Sequence, residues 1–209
     1  MLLSTAYFPP LSWLALAARD FRPGFSPAVI GLEACENYQK QSYRNRCYIL
    51  AGDGVQMLQV PVVHGDSWAI TDVKVDYSTP WVIRTQRALD TAYETSAYYE
   101  YYRDEVFALL DARPQTLWEL NLSTLRFLLR KTGIACDLSP TASFAREEAD
   151  DYRTAIHPKR EDTILADLGL DRPYYQVFRD RMGGFTPKLS CLDLLFNEGP
   201  DSILWLKKL

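Results

Sequence analysis

The apolar positions along the chain change period twice, and each change marks a new kind of element. Over residues 2–77 the apolar runs are short: "LLSTAY" is stopped by Pro9 and Pro10, "LSWLALAARD" is rich in helix formers, and "PAVIGLE" reads as a second buried strand. Two strands joined by a helix predict a βαβ unit whose functional end is the carboxyl edge of its strands, so Ser4 to Phe8 and Glu33 to Glu36 should lie side by side there. "CYILAGDGVQMLQVPVV" predicts a hairpin in which Gly52, Asp53 and Gly54 supply positive φ angles, with Pro61 marking an edge strand or a bulge. "DVKVDY" alternates Val73, Val75 and Tyr77 with Asp72, Lys74 and Asp76, which predicts a strand with one wet face and makes the first 77 residues mostly sheet.

From Thr79 the period becomes helical. Thr79 is placed as an N-cap with Pro80 at the first helical position, and the helix is expected to run to about Tyr93. "SAYYEYYRDEVFALLDA" puts Tyr99, Tyr102, Val106, Leu109 and Leu110 on one stripe. Thr116 and Glu119 have the spacing of a capping box for a third helix to Lys131, ended by Gly133. After Ser139 the chain is more polar, until "LSCLDLLFNEGPDSILWLKKL" supplies Leu192, Leu195, Phe196, Leu204 and Trp205 for a terminal helix that docks on the core. The expected fold is α/β: a βαβ start with a mixed sheet, helices packed on the sheet, and a C-terminal helical or extended tail, all in one domain over residues 1–209.

Composition narrows the function classes. A chain of 209 residues can bury roughly 70% of its unfolded surface. Its 47% hydrophobic and 24% charged residues are those of an ordinary folded protein. A net charge of −4 without blocks of like charge gives no support for a nucleic-acid partner. Pro9 and Pro10 interrupt the N-terminal apolar run, and no basic residue precedes it, so neither a signal peptide nor a membrane span is expected. Cys35, Cys47, Cys136 and Cys191 are too scattered for a zinc set; they read as buried thiols of a cytoplasmic protein, and no metal is expected.

No dinucleotide fingerprint, P-loop, nucleophile elbow or zinc-protease motif is present. What stands out is "ENYQKQSYRNR", eleven residues without an aliphatic side chain. By composition it is a solvated turn; by position, just after the second strand, it is a candidate site in which Lys40, Arg44 and Arg46 clamp a phosphate while Tyr38 and Tyr43 hold the loop or flank a ring. His157, in "AIHPKR", is either a surface histidine or a general base with Lys159 and Arg160 beside it. Ser4, Thr5 and Tyr7 offer hydroxyls at the end of the first strand, although capping the next helix is as natural a role. Cys35 lies near Lys40 and Arg44, which would favour a thiolate, with burial at the strand end as the plainer reading. His64, in "VVHGDS", reads as a turn residue.

Taken together, "AYFPPLSWLALAA", "ENYQKQSYRNRC", "LQVPV", "DYRTAIHPKR", "YYQVF" and "GGFTPKLSCLDLLFNEGP" resemble the WbqC-like proteins of the Bacteroidetes-type branch, over nearly the whole chain. The Asn45–Arg46 pair and the closing "DLLFNEGP" are the most specific pieces. The chain lacks the glutamine with which many relatives open ("QP-x-YLPW"), and it has Glu33 and Glu36 where many carry an aspartate pair. The resemblance implies a role in surface-polysaccharide or O-antigen biosynthesis, as a transferase of an acyl or aminoacyl group, glycine among them, onto an activated sugar. In that scheme His157, Glu36 and Tyr7 are the catalytic candidates, with Glu36 or His157 as base and Tyr7 and Asn45 as oxyanion donors, and Lys40, Arg44, Asn45, Arg46 and Lys159 bind the ligand's phosphate. The partner would be a small molecule, a nucleotide-sugar or an acyl donor, and the cofactor is unknown. Two other readings stand beside it: a nucleotide-binding or nucleotidyl-transfer fold, and a binding module that presents Tyr98 and Tyr101 to a partner.

Overall fold

In a computed structural model, which describes residues 1–63, 65, 68–146 and 148–207, the chain has an α/β architecture. Strand β1 (Leu2–Leu3) leads into helix α1 (Leu11–Arg19) and returns as β2 (Ala28–Leu32), which lies parallel to β1. This is the βαβ unit expected from the apolar runs. A third parallel strand, β5 (Cys136–Pro140), pairs with the other side of β2. On the free side of β1, Leu2 N–H donates to Asp150 O at 2.9 Å and Tyr152 N–H donates to Leu2 O at 3.0 Å, so residues 150–152 extend the sheet by one parallel bridge. Four chain segments therefore end at one carboxyl edge.

Strands β3 (Arg46–Ala51) and β4 (Gly54–Gln59) form the antiparallel hairpin, so the mixed pairing is carried by two separate sheets. Of its three turn residues only Gly54 has a positive φ, +129°; Gly52 and Asp53 turn the chain without it. "DVKVDY" is not a strand. Its Val75 bridges Val62 and its Lys74 bridges Thr116, while Val73 and Val75 are buried and Asp72 and Lys74 face solvent. The expected alternation is present but continuous partners are not, and the described part of the first 77 residues holds four short strands rather than mostly sheet.

Helices α2 (Trp81–Tyr93), α3 (Tyr99–Asp111) and α4 (Leu117–Lys131) follow in series. α2 begins one residue later than expected, with Pro80 at the N-cap and no side-chain cap from Thr79. α4 has both hydrogen bonds of the Thr116–Glu119 capping box, and Gly133, φ +70°, closes its end in the left-handed region. α3 buries Tyr99, Tyr102, Val106 and Leu110. Helices α5 (Ile164–Asp167), α6 (Cys191–Glu198) and α7 (Ser202–Lys207) make up the tail, with a short 3-10 turn at Gly199–Asp201.

The core joins both ends of the chain. α1 is apolar all round because it is enclosed all round: Leu11 to Ala18 are buried, and α5, α6 and α7 pack on it. Leu192, Leu195, Phe196 and Trp205 are buried as expected, but Leu204 is 46% exposed, since it falls on the outer side of the short α7. The motif "NEGP" is structural: a Cβ on Gly199, φ +55°, would lie 2.4 Å from the Tyr98 ring. Asp193 in α6 is buried with no ion pair among the described residues, accepting from Tyr93 Oη at 2.9 Å, Tyr174 Oη at 2.6 Å and Gln176 Nε2 at 2.9 Å. Its desolvation outweighs these donors and raises its pKa from the ordinary aspartate value. No helix among the described residues is long and apolar enough to cross a membrane.

Candidate functional site

At the carboxyl edge of the parallel sheet, Ser4 and Glu36 do meet, as the βαβ reading requires. Ser4 Oγ donates to Glu36 Oε2 at 3.0 Å, and Arg44 grips the same carboxylate from the loop, through Nε to Oε1 at 2.8 Å and through Nη2 to Oε2. Both side chains are buried. Glu33, one step after β2, has no solvent exposure and four partners: Cys35 N at 3.0 Å, Thr141 Oγ1 at 2.6 Å, Ala145 N at 3.1 Å and Arg153 Nη1 at 2.7 Å. Arg153 is in turn forked onto Asp151. Each strand end thus contributes one member to a closed polar block in which every carboxylate has an arginine.

The stretch "ENYQKQSYRNR" is therefore not a solvated loop. Glu36, Tyr38, Ser42, Tyr43, Arg44 and Asn45 are buried, and its fold is pinned by Tyr7 N–H donating to Tyr43 O at 2.8 Å and by Asn121 Nδ2 donating to Arg44 O at 2.8 Å. This fixes Arg44 inside the block. Arg44, expected in a phosphate clamp, and Glu36, expected as a base, form a buried ion pair with each other.

Lys40, Asn45 and Arg46 face the other way and line a cavity of about 320 Å³ together with Tyr38, Gln41 and Gln59. Here the polar groups are not saturated. Asn45 is 2% exposed and its Nδ2 donates to Val60 O at 2.9 Å, while its Oδ1 has no hydrogen-bond partner. Arg46 Nε is also buried and unpartnered. Lys40 Nζ lies 5.1 Å from the centroid of the Trp68 ring, which stacks on Tyr38 at 6.2 Å with an interplanar angle of 4°. Burial raises the Tyr38 pKa, opposed by the positive fields of Arg46 and Arg44. The cavity thus combines cationic groups, an unused acceptor and a flat aromatic wall.

The second expected segment reaches the same loop. Lys159 Nζ bonds Gln41 Oε1, which ties "AIHPKR" to the loop. His157 is half-buried and accepts from Lys159 N–H through Nδ1 at 3.2 Å. Desolvation first, and then the charges of Arg160, Arg44 and Lys159, lower its pKa, so it is neutral at pH 7 with Nε2 free of any bond to the described residues. Tyr7 does not join them. Its ring is 0% exposed in the core and its hydroxyl has no hydrogen-bond partner, so the donor role expected for it has no opening to solvent. Asn45, expected as a donor, has its Nδ2 on Val60 O, and its buried Oδ1 is without a partner among the described residues.

Cys35 is exposed rather than buried, Cys136 is half-buried, and all four cysteines are free. Tyr101 is 75% exposed, but Tyr98 is half-buried against Gly199. His64 lies outside the described residues. No group of three or more metal-ligating side chains occurs among the described residues. Trp68 and Arg153 were not expected at the site. Trp68, an aromatic in the polar run "HGDSW", carried a local signal; Arg153 carried none, since its partner Glu33 is 120 residues away.

The sequence pattern of the WbqC-like protein family matches residues 29–165, which takes in the loop, the cavity and His157. The chain belongs to the WbqC-like protein family. It is also similar to a protein of Mycobacterium tuberculosis named "Uncharacterized protein Rv1507c", 25% identical over 194 residues, covering 81% of this chain and 84% of that one. No solved structure matches the chain. In this WbqC-like chain Asn45 and Arg46 each leave one buried polar atom without a partner among the described residues, while the preceding Arg44 belongs to the closed block.

Proposed function

We propose that this WbqC-like protein binds a phosphorylated sugar, with a nucleotide-sugar as the favoured class, in the cavity between the 38–46 loop and residues 59–62, to which the 157–159 segment is tied through Lys159 and Gln41, and transfers an acyl or aminoacyl group to it. The observation that carries the reading is that two residues lining one cavity, Arg46 and Asn45, each leave a buried polar atom without a partner among the described residues, beside Lys40 and the Tyr38 ring on which Trp68 stacks. A buried guanidinium N–H without a partner is costly unless a ligand supplies one, and phosphate oxygens match its fork. Asn45 Oδ1 would accept from a sugar hydroxyl, and the stack offers a face to a planar base.

His157 is the base in this scheme. As the acceptor's hydroxyl or amine attacks the acyl carbon, its proton passes to the neutral imidazole, and the donor's leaving group departs with the bonding electron pair. A role in surface-polysaccharide assembly follows from the family resemblance.

Wild-type protein and Arg46→Ala would be compared for retention of nucleotide-sugars from a mixed set. Retention by the wild type and its loss in the variant is the expected result; equal retention would overturn the reading. The nucleotide-binding alternative draws on the same aromatic stack, and a thermal shift with free nucleotides but none with nucleotide-sugars would favour it over the transferase.

A further inference from the structure

On the other side of the first βα loop the structure contains a second cavity with its own unsatisfied groups. It has a volume of about 330 Å³, at the lower end of the roughly 300–1,000 Å³ typical of small-molecule pockets. The first turn of α1 (Pro10, Leu11, Ser12) forms one wall; Leu165, Leu170, Phe185 and Trp205 form the others. Phe185 and Trp205 are held in place by edge-to-face contacts with Tyr174, at 5.0 Å and 5.4 Å, so the aromatic wall is fixed by the core behind it.

Two of the residues that line this cavity are more than nine-tenths buried and carry a polar atom without a partner among the described residues. Ser12 is 1% exposed and its Oγ makes no hydrogen bond; Trp205 is 7% exposed and its Nε1–H makes none. A serine in the first turn of a helix can satisfy its hydroxyl by capping, yet α1 has Pro10 at its N-cap and no side-chain cap bond. An indole N–H can only donate, and the buried apolar setting offers it no acceptor. Each of these groups carries a desolvation cost while its hydrogen bond is left unmade. The charged residues that line the cavity are Asp162, Asp171 and Lys188, a net charge of −1 from these three at neutral pH. That balance disfavours an anionic occupant.

We propose that this cleft is a second ligand site, separate from the cationic cavity, which takes a small neutral molecule with a hydrocarbon or aryl body and a carbonyl oxygen of the amide or ester class. The body packs on Leu165, Leu170, Phe185 and Trp205, and the carbonyl oxygen accepts from the Trp205 indole and the Ser12 hydroxyl. The site involves none of Lys40, Asn45, Arg46 or His157, so its test stands apart from that of the nucleotide-sugar reading.

The experiment is a titration of the full chain with octanamide, 3-phenylpropanamide and octanoate, followed by the indole N–H resonances in nitrogen-15 correlation spectra. The Trp205 resonance is assigned by its loss in Trp205→Phe. The expected result is a saturable shift of the Trp205 indole signal with at least one amide and a weaker response to octanoate at equal concentration. In Ser12→Ala the same amide should bind about tenfold more weakly or less, while the free protein keeps or gains thermal stability, because an unsatisfied buried hydroxyl has been removed. No shift with either amide, or binding in Ser12→Ala as tight as in the wild type, would overturn the site. A response to octanoate as strong as to octanamide would overturn the preference for a neutral ligand. An Ala166→Trp variant that fills the cleft, stays folded by circular dichroism and still binds the amide would place the ligand elsewhere and overturn the proposal as well.

Discussion

Two polar regions share the carboxyl edge of the parallel sheet, and they differ in one respect, saturation. In the Glu33–Arg153–Asp151 and Glu36–Arg44–Ser4 block, each carboxylate is met by a guanidinium and by further donors, so the desolvation of the charges is repaid inside the protein. In the neighbouring cavity, Arg46 and Asn45 have buried polar atoms with nothing to bond. The same residue types occur in both. A charge with its partners in place is framework, and a charge without them is available to a ligand. The adjacent arginines Arg44 and Arg46, two positions apart, fall on opposite sides of that division.

The largest effect should come from breaking the block. Glu33→Ala removes one of the two carboxylates on Arg153 and leaves Cys35 N–H, Thr141 Oγ1 and Ala145 N–H without their acceptor, and the expected cost is about 3–5 kcal/mol in urea unfolding. A cost under about 1 kcal/mol would erase the distinction between the two regions. Arg46→Ala should leave stability within about 0.5 kcal/mol of wild type yet weaken nucleotide-sugar binding about tenfold to a hundredfold, as read by calorimetry, because a charge-assisted bond is lost without an orphaned partner.

Asp193 sharpens the comparison, as a buried carboxylate with three donors and no cation. Its folded pKa lies above its unfolded value of about 3.9, so the folded state holds the extra proton in the interval between them. Stability should then fall as pH rises through that interval, by up to about 1.4 kcal/mol per pH unit, and Asp193→Asn should flatten that slope in thermal melts. Lys40→Ala should have the smallest effect, about a two- to fivefold loss of ligand affinity, since its ammonium lies over the exposed Trp68 ring.

Elements whose cause is local were legible in the residues. The βαβ start follows from two apolar runs around a helix, the α4 start from the Thr116–Glu119 spacing, and its end from Gly133. "DVKVDY" shows the limit: alternation determines which side chains are buried, but a strand also needs continuous partners, and tertiary structure supplied only bridges. Strand β5 was missed for the complementary reason, since "CDLSP" has little strand character and pairs because β2 lies beside it.

For the candidate site, the sequence by itself determined that cations, amides and tyrosines would gather just after β2, and that His157 would sit among cations. Tertiary structure alone decided which of them are spent. Arg44 is consumed by Glu36 and Ser4, Tyr7 is closed into the core, and Arg46 is left with an open N–H. Hydrogen-bond saturation depends on partners that arrive from far along the chain, as Arg153 and Thr141 do at Glu33, and no local pattern encodes that arrival.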